Sequence, residues 1–322
     1  MKAAVIHGNG SPEVLRYQEV PEPECPPGFV VVDAEAISLE GGDLLARAAG
    51  ELPAVPHVIG YLSAGTVTQV GPDVAGRAAG DRVVALSASG SHAARRAVPA
   101  IMTWAIPAGL DAARAACVPV AFGTAQECLF TAGNLSAGQT VLVHAGAGGV
   151  GMAAIQLAKQ AGATVIATAS SDEKLGRLAA FGLDHGINYK ADSFVARTRE
   201  LTGSRGADVV IDSIGGRNLI DSISVLAYRG RLISVGTSGR AGSGIEAREL
   251  WTRNNALHGV YLGAAIVSEY PRVHPMIGDM LDRVASGELQ VAIDRTFPLA
   301  EAAAAHEYAE SRTAFGRIVL TP

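Results

Sequence analysis

The chain has 322 residues, 48% of them hydrophobic and 18% charged, which is enough for two domains and a sizeable core. Its 26 basic and 31 acidic residues leave a net charge of −5, and no long basic run occurs, which argues against nucleic acid and anionic membranes as partners. The opening MKAAVIHGNG lacks the apolar core and cleavage site of a leader, and no run of 18 apolar residues follows, so the expectation is a cytoplasmic protein with no membrane span.

The first hundred residues read as β-rich. Short apolar or alternating runs at 3–6, 29–35, 65–70 and 82–86 are separated by Pro and Gly clusters such as PEPECPPG and VGPDVAG. A helical pattern follows over 112–132. Strand and helix then alternate: a strand from residue 140, a glycine turn, a helix, a strand over 164–168, a helix over 172–181 and a strand over 186–188. Helices over 194–202 and 219–227 flank a strand over 207–211, and a strand over 231–235 completes the alternation. Such a pattern predicts a parallel sheet covered on both faces. An apolar segment over 275–284, an alanine-rich helix over 299–310 and a strand over 317–320 end the chain. The cysteines Cys25, Cys117 and Cys128 form no CxxC pair and read as reduced, mostly buried small hydrophobes.

The densest signal lies in TVLVHAGAGGVGMAAIQLAKQAGATVIAT, residues 140–168. An apolar strand (Val141, Leu142, Val143) runs into Gly146-Ala147-Gly148-Gly149-Val150-Gly151. A helix with an apolar face (Met152, Ile155, Ala158) and a second apolar strand follow. Glycines at 146, 148 and 151 have the G-x-G-x-x-G spacing that brings backbone N–H groups at a helix start against a pyrophosphate. The competing reading is a tight turn that needs glycine for positive φ and binds nothing. A carboxylate that would accept a ribose 2′-hydroxyl is missing, because the second strand runs into Ala169-Ser170-Ser171. Asp172 and Glu173 follow on the next helix, where acids suit the dipole. A 2′-phosphate would meet no like charge there, which leaves room for NADPH as the cofactor.

The chain resembles the medium-chain dehydrogenase/reductases, in the zinc-free quinone oxidoreductase (zeta-crystallin-like) branch. The motifs that carry this are MKAAVIH, PPGFVVVDAEAISLEGGD, IGYLSAGTVTQVG, HAGAGGVG, GINYK, DVVIDSIGG, GRLISVGTSG and FGRIVL, in that order over nearly the whole chain. The resemblance implies an α/β protein: a Rossmann doubly wound parallel sheet domain inserted in a GroES-like β-rich catalytic domain, and a homodimer. The expected boundaries are 1–121 and 260–322 for the catalytic domain and 122–259 for the NADPH-binding domain. It also implies that Lys174 and Tyr189 grip the 2′-phosphate beside Ser170, and that Thr124 contacts the cofactor. By the same matching, Gly236, Thr237, Ser238, Tyr261 and Leu262 line the nicotinamide, and Arg317 comes back over the cofactor. The competing readings are a solvated helix lysine and a half-buried tyrosine.

Zinc-dependent relatives hold the metal with a cysteine, a histidine and a second cysteine or acid. Those positions hold Glu40, Tyr61 and Val120 here, and Cys117 stands three residues before the last of them. No metal is expected. Quinone reductases usually carry asparagine at the Glu40 position, so the Glu40–Tyr61 pair is a departure. The expectation is that the Tyr61 phenol polarises a substrate carbonyl, with Glu40 orienting it or handling a proton and His92 a third candidate. The bland alternatives are a core tyrosine, a Glu40 that faces solvent or bonds a backbone N–H, and a structural His92.

Three functions follow from the resemblance and these residues. The first is an NADPH-dependent quinone reductase. The second is an enone or enoyl reductase for a specialised biosynthetic small molecule, with poor quinone activity. The third is an NADPH-binding sensor or RNA-binding protein without turnover, against which the acidic balance stands.

Overall fold

The computed structural model describes residues 1–239 and 244–322 and divides into two compact units, Met1–Pro119 with Ile277–Pro322, and Val120–Met276. The first unit is thus made of two chain segments and the second is the stretch between them. The second division falls at Ile277 rather than at residue 260, so the helices Leu262–Ser268 and the first part of Tyr270–Ala285 belong with the parallel-sheet unit.

Among the described residues the first unit carries a seven-stranded sheet and a three-stranded one. The long strand Phe29–Leu39 is the hub. It pairs antiparallel with Leu62–Val70, Arg95–Pro99 and the closing strand Arg317–Thr321. Valines 30, 32, 67, 83 and 98 alternate along these strands and bury one face, and a second core gathers Ile37, Leu39, Phe297, Ile318 and Leu320. The smaller sheet joins Lys2–Ile6 to Arg16–Glu19 and His57–Val58.

The second unit carries, among the described residues, a six-stranded sheet. In spatial order its strands are His185–Asn188, Thr164–Ala169, Thr140–Val143, Ala207–Asp212, Leu226–Ser234 and Ala256–Gly259, all parallel. Central strands are buried on both faces, which is why Thr140–Val143 and Val165, Ile166 and Ala167 read as continuous apolar runs.

Several expected elements change shape. The helical run over 112–132 breaks into Ala112–Ala116 and Val118–Gln126, with Pro119 in the first turn of the second helix, and ends in a wide turn over Glu127–Ala132. The helix expected over 219–227 is Arg217–Ile223, because Leu226 already pairs with Ala207. The helix Gly41–Ala49 was not predicted, since two glycines at its start lower its propensity.

Candidate active site

In the parallel-sheet unit, strand Thr140–Val143 delivers the glycine turn and helix Gly149–Gln160 leaves it, with Gly148 at the cap position. Neither Gly146, Gly148 nor Gly151 has positive φ; the left-handed residue is Ala145, at φ 52°. A Cβ on Gly151 would stand 2.4 Å from the Ala145 carbonyl oxygen, and one on Gly146 would stand 2.8 Å from the Ala167 Cβ. These two glycines are fixed by packing inside the protein. Gly148 is different, because its Cβ would meet only the Ala145 oxygen, at an ordinary 3.4 Å. The fold makes no use of its missing side chain, which leaves an open cradle at the start of a helix where N–H groups accumulate.

Ala169-Ser170 ends the neighbouring strand with no carboxylate at its tip. Ser171 caps helix Asp172–Leu178 and accepts from the Lys174 N–H at 3.3 Å. Asn188 pairs with Ala169, and the Tyr189 N–H donates to the Ala169 carbonyl at 3.2 Å, so Tyr189, 43% exposed, stands beside Ser170. Sheet register thus brings Ser170, Lys174 and Tyr189 to one corner. Lys159 and Asp184 close the far side of the helix pair with an ion pair of 2.5 Å.

Below the turn lies a buried polar chain that sequence reading missed. The Ser222 hydroxyl donates to the Asn218 carbonyl at 2.7 Å, so at 3.0 Å the His144 Nε2–H donates to Ser222 Oγ. His144 Nδ1 then accepts from Thr168 at 3.2 Å. Burial holds the imidazole neutral by pulling its pKa down to about 4. Asp212 accepts from the N–H groups of Ile214 and Gly215 and from Asn218, which shapes the turn after its strand. The Ser213 carbonyl in that turn accepts from both the Ser238 N–H and hydroxyl, which holds the segment with Gly236 and Thr237. Thr124 is buried on helix Val118–Gln126, Leu262 is buried, and Tyr261 is exposed at the cap of Leu262–Ser268.

In the β-rich unit, strand Phe29–Leu39 passes through Glu40 into helix Gly41–Ala49. Ile318 pairs with Leu39, so the antiparallel register sets Arg317 opposite Glu40. The Arg317 guanidinium is hydrogen-bonded to the Glu40 carboxylate and also donates to Ser38 Oγ at 2.7 Å and the Leu39 carbonyl at 3.2 Å. Ser38 in turn donates to Glu40 at 2.9 Å. The Glu40 side chain does not face solvent; it is 3% exposed and salt-bridged. Burial raises its pKa while Arg317 and Ser38 pull against that rise. Arg317, expected over the cofactor, is 9% exposed, and this hydrogen bonding commits its Nη2 to the β-rich unit.

Tyr61 follows Gly60, whose φ of +85° and contact with His92 admit only glycine; a Cβ would lie 2.0 Å from His92 Nδ1. The half-buried Tyr61 ring rests on the first turn of helix Gly41–Ala49. A Cβ on Gly42 would stand 2.9 Å from both the ring and the phenol oxygen, so Gly42 makes the seat for the phenol. Burial first, then the Glu40 and Asp43 carboxylates, push the phenol pKa up, against the Arg317 charge and the Gly42 N–H. The phenol is therefore a neutral group across the working pH range, able to donate its proton in a hydrogen bond. The Glu40 carboxylate is hydrogen-bonded to Ser38 and Arg317, so it shapes the field at the phenol rather than gripping it.

Asp43 accepts from the Glu40 N–H at 2.9 Å, and burial raises its pKa. The charge on Arg96 faces it: the Arg96 guanidinium is 3% exposed, donates to the Tyr61 carbonyl at 3.3 Å, and is pulled down to about 9 by burial, with Asp43 opposing. The spacing of Glu40 and Asp43, an acid three residues into a helix, was a readable sign of this turn.

His92 is corrected by the structure. It has no exposed surface, and its Nε2 lies 3.1 Å from His306 Nε2, one donating and the other accepting. Burial, with the Arg96 charge adding to it, pulls its pKa down to about 3. It is a packing residue behind Gly60 with no face for a substrate. The three zinc positions offer no donor set: Glu40 is held by Arg317, and tyrosine and valine fill the others. Among the described residues no group of three or more His, Cys, Asp or Glu side chains could hold a metal ion.

A glycine-rich βα turn on a parallel sheet, in a chain that also carries a β-rich unit with a polar cluster, defines a nucleotide-dependent dehydrogenase or reductase. Family comparison agrees: residues 26–167 match the alcohol dehydrogenase GroES-like domain, and residues 149–279 match the zinc-binding dehydrogenase family. The chain is 35% identical to a 2-haloacrylate reductase of Burkholderia sp over 99% of its own length and 98% of that protein. It superposes on an Escherichia coli quinone oxidoreductase complexed with NADPH with a TM-score of 0.95, at 29% identity and over 100% of each chain. It also matches 14% of a much longer phthioceranic/hydroxyphthioceranic acid synthase of Mycobacterium tuberculosis, at 32% identity over 96% of this chain. The chain belongs to the medium-chain dehydrogenase/reductase superfamily, in its zinc-free quinone oxidoreductase branch.

Proposed function

We propose that the protein is an NADPH-dependent, metal-independent reductase of quinones or α,β-unsaturated carbonyl compounds. The observation that carries this reading is the corner formed by Ala169-Ser170, Lys174 and Tyr189 next to the open cradle at Gly148. An anionic 2′-phosphate meets a lysine, a serine and a phenol there and no carboxylate at the strand tip. The pyrophosphate fits at Gly148, against the N–H groups that open helix Gly149–Gln160. Thr124 and the segments with Gly236, Thr237, Ser238, Tyr261 and Leu262 line the rest of the cofactor site.

Bound NADPH supplies a hydride to a quinone, or to the β-carbon of an enone. The Tyr61 phenol donates a hydrogen bond to the substrate oxygen as negative charge grows there. Solvent protonates the quinol oxygen or the enolate α-carbon, so the residues need only bind, polarise and exclude water. A saturated ketone or alcohol asks for a stronger electrophile than a neutral phenol. The Glu40–Tyr61 departure favours the second reading, a specialised enone or enoyl reductase, over a broad quinone reductase.

The partner expected is a second copy of the chain. Ala256–Gly259 is the end strand of the parallel sheet, with Leu257 37% exposed, and Trp251, 70% exposed, shortly before it. Light scattering at micromolar concentration checks this, with a mass of one chain overturning it. Among the described residues no helix is long and apolar enough to cross a membrane, and three unpaired thiols suit the reducing cytoplasm in which we place the protein.

The experiment that tests the function is oxidation of NADPH and of NADH, measured in parallel against quinones, enones, aldehydes and ketones. NADPH-selective turnover of quinones or enones is expected. Equal rates with NADH sink the Lys174–Tyr189 assignment, and turnover confined to alcohols or saturated carbonyls sinks the metal-independent mechanism.

A further inference from the structure

We infer that His144 is a positioning residue for the cofactor: its ring fixes the direction of the Thr168 hydroxyl, and that hydroxyl holds the turn at Ala145 in the shape that opens the Gly148 cradle. This rests on the pyrophosphate reading of the cradle and adds what keeps it open. Ala145 is the left-handed residue of the turn, at φ 52°, a conformation an alanine does not choose by itself. Thr168 holds the turn there twice. Its carbonyl accepts from the Gly146 N–H at 2.8 Å, and its hydroxyl oxygen accepts from the Ala145 N–H at 3.3 Å. With its peptide so turned, the Ala145 carbonyl accepts from the Gly148 N–H at 2.9 Å, at the cap of helix Gly149–Gln160.

The Thr168 proton points to His144 Nδ1, 3.2 Å away, which leaves an oxygen lone pair for Ala145. Nδ1 can accept because the ring proton sits on Nε2 and is donated to Ser222 Oγ at 3.0 Å, while Ser222 gives its own proton to the Asn218 carbonyl. The direction of each proton is thus set from helix Arg217–Ile223. Burial keeps the ring neutral, and Phe194 packs edge-on against it with ring centroids 4.7 Å apart. The Asn218 side chain also donates to Asp212, which accepts from the Ile214 and Gly215 N–H groups. One helix therefore anchors the turns that follow both Thr140–Val143 and Ala207–Asp212.

The test compares dissociation constants of NADPH and NADH, from nicotinamide fluorescence at pH 7, in the wild type, Thr168→Val, Thr168→Ser, His144→Leu and the double variant Thr168→Val/His144→Leu. Loss of the hydroxyl or of the ring should each weaken both cofactors by about tenfold. The NADPH-to-NADH ratio should stay unchanged, since the pyrophosphate is common to the two. The double variant should lose no more than the larger single loss, because both changes act through one hydroxyl. Thr168→Ser keeps the hydroxyl and should stay within about twofold of the wild type. Melting reports whether each variant is folded, and nitrogen NMR of the wild type, expected to find the His144 proton on Nε2, reads the chain without any substitution. Unchanged dissociation constants in folded Thr168→Val, a shifted NADPH-to-NADH ratio, additive losses in the double variant, or a proton on Nδ1 overturns the inference while leaving the cofactor site in place. A wild type that binds neither NADPH nor NADH overturns the cofactor reading, and this inference with it.

Discussion

Two helices in this molecule begin at glycines, and the contrast between them separates the proposed cofactor site from the proposed substrate site. At Gly149–Gln160 the opening turn is neutral, and Gly148 leaves a cradle that the protein does not fill. At Gly41–Ala49 the opening turn is flanked by Glu40 and Asp43, and the space left by Gly42 is taken by the Tyr61 phenol. The same backbone device, N–H groups exposed at a helix start, suits an anion in the first setting. In the second, burial and the neighbouring acids keep the phenol protonated, so the turn presents a neutral donor. What fills the space beside the glycine, not the turn itself, decides what it holds.

The largest effect that would break this contrast comes from Tyr61→Phe. Removing the donor should lower the hydride-transfer rate on enones by about a hundredfold to a thousandfold. Stopped-flow absorbance of the nicotinamide reads it, and an unchanged rate on every accepted acceptor ends the polarising role. Next come the two glycines of the parallel-sheet unit. Gly151→Ala drives a Cβ into the Ala145 carbonyl and should destabilise the fold by about 3 kcal/mol, measured in urea. Gly148→Ala should leave the urea midpoint almost unmoved and weaken NADPH by about tenfold or more. The reverse pattern would mean that the cradle is a packing feature.

Lys174→Ala should cut the preference for NADPH over NADH by about tenfold to a hundredfold, the worth of one charge-assisted contact. Steady-state kinetics with both cofactors measures it, and an unchanged ratio removes the lysine from the phosphate corner.

The smallest effect sharpens the status of His92. Its folded pKa of about 3 lies below the unfolded value near 6.5, so over that interval the unfolded chain binds more protons and stability falls as pH falls. From pH 7 to pH 5 that linkage amounts to about 2 kcal/mol, which His92→Asn should remove from the acid-induced loss. Urea titrations at the two pH values test this, and an identical loss in wild type and variant contradicts a neutral, buried His92.

The residues proposed to bind the cofactor were legible in the sequence because they are local. Strand, glycine turn, helix and the Ala169-Ser170 tip lie within thirty or so residues, and register alone adds Tyr189. The residues proposed to meet the substrate were only partly legible. Glu40 and Tyr61 stood out as departures from a zinc pattern, but the partner of Glu40 lies at Arg317, brought there by antiparallel pairing across most of the chain. The His92–His306 pair is equally non-local, and it decides for the structural reading of His92 over the catalytic one. Gly42 was visible only as a weak helix former; its use, as room for a phenol, needs the ring position.

The central claim is that the parallel-sheet unit reads the cofactor and the turn at Tyr61 reads the substrate. The most direct measurement is the dissociation constant of NADPH for Tyr61→Phe, from nicotinamide fluorescence. The account predicts a value within about twofold of wild type, since the phosphate contacts carry the affinity. A loss of NADPH affinity as large as the loss in hydride transfer would contradict it.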